Sequence, residues 1–241
     1  MSFINLLLGK VFGYKLVRTK SLGHNPYHDV NRLIGKENIK TVFDVGANEG
    51  QTTLKLLKFF PKASIYSFEP GKEAFYKLNN RFVFESVKAI NMGMGEKKER
   101  LELIRHESSV TDSFLEDCNE DNLKITKSRK IINKEKVEVT SIDEFCSENG
   151  IDYIDLLKID TQGFEKYVLK GASNMLKNKK IKAIVMEICF SKIYKEQTHL
   201  SEIAKAMENY HYSIVDFYDK ARVNGKTISW CDMFYIDLNN M

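Results

Sequence analysis

The chain predicts an α/β fold: a mainly parallel sheet with helices packed on both faces. Three observations carry this expectation. β-rich runs alternate with helical stretches along most of the chain. A length of 241 residues suits one α/β domain with an appendage better than two full domains. Finally, 43% hydrophobic and 29% charged residues supply a large core under a charged surface.

Taken in order, Val30, Leu33 and Ile34 after Pro26 mark a short entry helix. Thr41–Val45 reads as the first strand and ends at Gly46; Leu54, Leu57 and Phe60 then stripe a helix that Pro61 stops. Ser64–Phe68 is the second strand, closed by Glu69 and Pro70, and Phe75 and Leu78 share a face of the next helix. Val87–Asn91 reads as the third strand. The rhythm then breaks from Gly95 to Val139: Leu101–Ile104 looks like a strand, but 107–136 is polar and aperiodic, which marks a lid, a binding segment or strands without a legible pattern. Alternation resumes with a strand over Tyr153–Ile159, a helix over Phe164–Leu176 and a strand over Ile181–Ile188. A helix over Leu200–Met207 and strands near Ser213–Phe217 and Met233–Leu238 close the chain.

Residues 1–38 read as an N-terminal helical segment and 39–241 as the main domain. The apolar stretch Phe3–Val17 is too short to span a bilayer and lacks a signal-peptide cleavage pattern. Its helical stripes imply packing on the domain or, with Lys10, Lys15, Arg18 and Lys20, peripheral contact with the inner membrane face. A net charge of +4 is too small an excess for a nucleic-acid partner. Four separated cysteines form no C-x-x-C pair, so neither a zinc site nor a disulfide framework is expected and a reducing cytoplasm fits.

Ligands of parallel α/β sheets bind beyond the carboxyl ends of the strands, so the residues after each strand are where chemistry is sought. The first strand ends in Asp44-Val-Gly46-Ala-Asn48-Glu-Gly50. Gly46 permits a sharp turn and close approach of a ligand, and Gly50 opens a helix whose free amides favour an anion. This is not the G-x-G-x-x-G fingerprint of nicotinamide enzymes, and no phosphate-binding lysine loop is present. Glu69 ends the second strand, where a carboxylate meets both hydroxyls of a ribose. Asp44, Gly46, Gly50 and Glu69 together point to an adenosyl cofactor.

Lys158-Ile-Asp160 ends the strand where donor and acceptor of a transferred group would meet. Asp160 is the first candidate for a general base, or else a helix N-cap near Gly163. Glu165 and Glu187 are the other carboxylates within reach, and His106 opens the irregular insert with a base suited to neutral pH. Lys158 reads as a structural partner of a carboxylate. Three carboxylates permit a divalent cation, but no compact ligand motif supports one.

Several segments in register resemble the FkbM-type methyltransferases: Val42-Phe-Asp-Val-Gly-Ala-Asn-Glu-Gly-Gln-Thr, Phe68-Glu-Pro, Leu157-Lys-Ile-Asp-Thr-Gln-Gly-Phe-Glu165, Val168-Leu-Lys-Gly-Ala172, Met186-Glu-Ile and Tyr194-Lys-Glu-Gln. The resemblance runs from about Thr41 to the C-terminus. It implies a Rossmann-like class I methyltransferase fold with a seven-stranded sheet and an insert after the third strand. It further implies S-adenosylmethionine as donor and a hydroxyl of a sugar, glycan or other small natural product as acceptor. The implied cofactor-binding set is Asp44, Gly46, Asn48, Gly50, Glu69, Pro70 and Asn91, with Asn91 facing the adenine.

Two other readings compete. An amino-directed nucleic-acid methyltransferase would place Asp/Asn-Pro-Pro-aromatic where this chain has Asp160-Thr-Gln-Gly163. A degenerate methyltransferase fold serving as a scaffold would have no need of Gly46, Glu69 and Asp160 together.

Overall fold

The computed structural model describes residues 21–82, 86–118 and 129–238; the predicted helix Phe3–Val17 lies outside them. Ten strands and seven α-helices follow in chain order within the described residues. Strand β1 is Thr41–Val45, β2 Ser64–Phe68, β3 Val87–Ile90, β4 Gly93–Met94, β5 Glu99–His106 and β6 Ile131–Thr140. β7 is Ile154–Ile159, β8 Ile181–Cys189, β9 Ser213–Val223 and β10 Thr227–Ile236. The helices are α1 (Pro26–Ile34), α2 (Gln51–Phe59), α3 (Lys72–Arg81), α4 (Ile142–Asn149), α5 (Glu165–Lys170), α6 (Ser173–Lys177) and α7 (Leu200–Asn209).

Seven strands form one sheet in the order β3-β2-β1-β7-β8-β10-β9. The first five are parallel, and β10 runs antiparallel between β8 and β9. All six residues of β7 are buried, as a central strand covered on both faces demands. On one face Val42, Leu156, Val185 and Phe234 pack with Tyr27 and Val30 of α1, Leu56 of α2 and Leu78 of α3. The other face sets Phe43, Leu157, Ile184 and Met233 against Phe145, Val168, Leu176 and Ile203 from α4 to α7. The strand order reverses between β1 and β7, which opens a crevice at their carboxyl ends.

Local chemistry explains the helix boundaries. Asn25 caps α1 by accepting from the Tyr27 and His28 amides, with Pro26 at the first helical position. Ser141 and Glu144 form a reciprocal capping box at α4, which ends at Gly150 in the left-handed region. The helix predicted over Phe164–Leu176 is two helices. The break falls at Gly171, where a Cβ would lie 1.9 Å from the Gly95 carbonyl oxygen, so the chain bends to let the insert's base approach.

Within the irregular region 95–139 the described residues include β5 and β6, which with β4 just before them form a second, three-stranded sheet ordered β4-β6-β5. β6 escapes a sequence reading because only Val137, Val139 and Thr140 of its ten residues are buried, the rest carrying Lys, Glu and exposed Ile. Leu103, Val137 and Val139 form its small core, which Leu101 and Phe114 cover. Among the described residues no helix is long and apolar enough to cross a membrane.

Candidate active site

A cavity of about 220 Å³ lies at the carboxyl ends of β1, β2 and β7 and is walled by the insert. Its base is the turn after β1. The Gly46 and Ala47 amides donate to the Phe68 carbonyl at 3.0 and 2.9 Å, which ties the ends of β1 and β2 together. Gly46 has φ +81°, and a Cβ there would sit 1.9 Å from the Asp160 carbonyl oxygen. The glycine is therefore required by the approach of the β7 end as well as by the turn. Asn48 also lines the cavity; its Oδ1 accepts from Ser109 Oγ at 3.1 Å, which pins the insert to the turn.

Glu69 is 6% exposed and lines the same cavity beside Pro70. Its Oε2 accepts from the Asn48 amide at 2.9 Å and its Oε1 from the Gly71 amide at 2.8 Å. Burial pushes the carboxyl up to about 7, against the pull of those two amides. Phe68, Met94, Leu103, Val110 and Phe114 supply an apolar wall next to it.

Three members of the expected cofactor set stand behind this wall instead of on it. Asn91 spends its Nδ2 hydrogens on the Glu69 and Pro70 carbonyls, both at 2.9 Å, and so braces the Glu69 turn where adenine contact was expected. Gly50 packs α2 onto α3: a Cβ would meet Phe82 at 2.4 Å and Leu78 at 2.9 Å. Asp44 is buried, accepts from Thr53 Oγ1 at 2.7 Å, and is pushed up to about 6 by burial. Its second oxygen has no protein partner.

At the opposite end Asp160, Thr161 and Gln162 line the cavity. Lys158, 3% exposed, places its Nζ 3.0 Å from Asp232 Oδ1 and 4.0 Å from Asp160 Oδ2, the structural pairing expected of it. Glu187 lies beside Asp160, bridged to it by Gln162. Burial and then the Asp160 charge hold Glu187 well above the usual carboxylate range.

Glu165 and His106 belong to the scaffold. Glu165 Oε1 accepts from the Thr161 and Gly163 amides at 3.3 and 2.9 Å, so it stitches the loop after β7; the N-cap of α5 is Phe164, without a side-chain cap, and not Asp160. His106 is buried within the insert, its Nε2 3.1 Å from Asp117 Oδ2 and its amide donating to Asp112 Oδ1 at 2.7 Å. It is absent from the cavity wall because β5 turns its side chain inward. Among the described residues no group of three or more His, Cys, Asp or Glu is disposed to hold a metal ion.

Gln162, Tyr194, Arg129 and Ser109 also join the site. Gln162 and Tyr194 lie inside the motif segments Leu157–Glu165 and Tyr194-Lys-Glu-Gln, whereas Arg129 and Ser109 come from the insert, where the sequence shows no legible pattern.

The Methyltransferase FkbM domain matches residues 44–214. The chain is 24% identical over 177 residues to the 2-O-methyltransferase NoeI of Sinorhizobium fredii (strain NBRC 101917 / NGR234), covering 70% of this chain and 71% of that protein. It is 26% identical over 167 residues to Methyltransferase 1 of Beauveria bassiana (strain ARSEF 2860), covering 63% and 65%. A crystal structure of methyltransferase FkbM from Methylobacillus flagellatus KT superposes with a TM-score of 0.54 at 16% identity, over 89% of this chain. This chain spans about half of that one, 48% of its length.

Proposed function

The chain belongs to the FkbM methyltransferase family, and on that premise we propose that it moves a methyl group from S-adenosylmethionine to a hydroxyl of a sugar, glycan or other small natural product. The observation that carries the reading is one cavity joining Glu69, an apolar wall and Asp160. The donor set suits the cofactor. A buried carboxylate matches a ribose diol, apolar side chains match a purine, and no Lys or Arg lines the cavity among the described residues, which favours a cationic sulfonium. Glu69, Asn48 and the Gly46–Ala47 turn would hold it. When bound, S-adenosylmethionine supplies an electrophilic methyl group and leaves as S-adenosylhomocysteine.

The remaining work falls to this chain. Asp160 accepts the hydroxyl proton as the acceptor oxygen forms its new C–O bond, because an alcohol is a weak nucleophile until that proton is leaving. Ser109, Val110, Ser113 and Phe114 of the insert wall the cavity, which limits water and holds the reactants close. A hydroxyl acceptor is supported by the similarity to NoeI, a 2-O-methyltransferase.

Calorimetric titration of S-adenosylmethionine into the purified chain tests the reading. We expect micromolar affinity, weakened about 100-fold by Glu69→Ala through loss of charge-assisted hydrogen bonds. Absence of binding to the unmodified chain would overturn the donor assignment.

A further inference from the structure

The polar side chains at the acceptor end form one connected network with Gln162 at its centre. Gln162 Nε2 donates to Asp160 Oδ1 at 3.0 Å and to Glu187 Oε1 at 2.9 Å, while its Oε1 accepts from the Tyr194 hydroxyl at 2.9 Å. An amide offers two hydrogens on one side and lone pairs on the other, and in this orientation its hydrogens face Asp160 and Glu187 while its oxygen faces the Tyr194 hydroxyl; the flipped one would set its oxygen against the Asp160 carboxylate. Tyr194, fully buried, receives Nη1–H of Arg129 at 3.1 Å, and the guanidinium lies 4.4 Å from its ring centroid. Arg129 also pairs with Asp117, which holds His106. The chain of contacts therefore runs from the insert to the carboxylates at the β7 and β8 ends.

Sheet register explains why so much charge gathers there. Asp44 pairs across with Lys158, Lys158 with Val185, and Glu187 with Asp232, so alternation sets Asp44, Lys158, Glu187 and Asp232 on one face. The Lys158 ammonium pairs with Asp232 and, at 4.0 Å, with Asp160, and the charge of Glu187 acts on it from the neighbouring strand. Of these acids Glu187 is the one that burial and the neighbouring Asp160 charge hold well above the usual carboxylate range. Gln162 meets this cluster from a backbone φ of +51°, an uncommon value for a non-glycine residue.

We propose that Gln162 is a positioning residue for methyl transfer: its two amide hydrogens bridge Asp160 and Glu187, and its oxygen ties both to the insert through Tyr194. The proposal rests on the methyl-transfer reading of the cavity. Asp160, partly exposed, takes the acceptor proton as the C–O bond forms and then releases it to solvent; Glu187, whose ionisation burial and the Asp160 charge disfavour, stands beside it. Gln162 itself exchanges no proton, and it fixes where the base stands.

The test reads Glu187 directly and needs no acceptor. The full chain is labelled with ¹³C, the Glu187 side-chain carboxyl signal is identified by its loss in Glu187→Gln, and its titration is followed from pH 4 to 10. Removing one donated N–H in Gln162→Leu should raise the Glu187 midpoint by about one pH unit, a tenfold change in its ionisation constant. The isosteric Gln162→Glu keeps the shape and adds a third carboxylate, so it should raise the midpoint further and stands in if the leucine variant fails to fold. An unmoved midpoint in folded Gln162→Glu would overturn the bridge. S-adenosylmethionine binding to the unmodified chain is measured alongside. Binding with an unmoved midpoint removes the Gln162 proposal alone; a moved midpoint without binding removes the methyl-transfer reading and leaves the bridge as scaffold.

Discussion

Glu69→Gln gives the sharpest physical test of how the donor end is built. In the folded chain this carboxyl is pushed from an ordinary 4.5 up to about 7, mainly by burial. Between those values the folded state binds more protons than the unfolded state, so its stability falls as pH rises through the window. The gap corresponds to a loss on the order of 3 kcal/mol between pH 4 and 8. Gln at position 69 does not titrate. It keeps one acceptor for the Asn48 or Gly71 amide and sets an NH₂ against the other, a cost that is the same at every pH. Urea unfolding of both proteins at intervals from pH 4 to 8 should therefore yield curves that diverge, with the variant gaining on the unmodified chain as pH rises. Parallel curves would refute the reasoning, because they would mean that ionising Glu69 in the fold costs nothing. On the proposed reading, the variant's gain at high pH should coincide with weaker S-adenosylmethionine binding, because the same carboxylate would meet the ribose.

Two further substitutions probe the junction of β1 and β7. Gly46→Ala combines a φ of +81° with a Cβ 1.9 Å from the Asp160 carbonyl oxygen. We expect it to destabilise the chain by about 3 kcal/mol or more in urea unfolding, against the ~0.5 kcal/mol of an ordinary surface change. Lys158→Met strips Asp232 and Asp160 of their buried cation and should cost about 3–5 kcal/mol in the same measurement. Adding Asp232→Leu should recover part of that loss, since an apolar pair replaces an unpaired buried charge.

The parts of the site legible in sequence are those fixed by the backbone. Glu69 and Asp160 follow recognisable strands, and residues at strand ends must face the crevice where the sheet order reverses. What escaped depends on side chains meeting across long separations. Asn91 and Glu165 occupy the expected neighbourhood, but each turns to backbone groups: Asn91 to two carbonyls, Glu165 to two amides. Nothing in residue type distinguishes a carboxylate that stitches a loop from one that meets a substrate. His106 failed for a different reason. β5 extends two residues beyond the predicted Ile104, which carries the histidine into the insert's interior instead of leaving it at the mouth. β6 stayed hidden because a strand in a small sheet with one thin core shows too few apolar positions for a period to register.

The C-terminal hairpin bears on how the chain is made. β10 follows both β8 and β9 in sequence, yet it occupies the interior slot between them and brings Asp232 to Lys158. β8 therefore keeps an open hydrogen-bonding edge, and the buried ammonium lacks its nearest carboxylate, until β10 is made and inserts. The strand that seals the edge of β8 is thus also the strand that pairs the buried Lys158, so a folding chain gains its closed sheet and its internal charge balance in the same step.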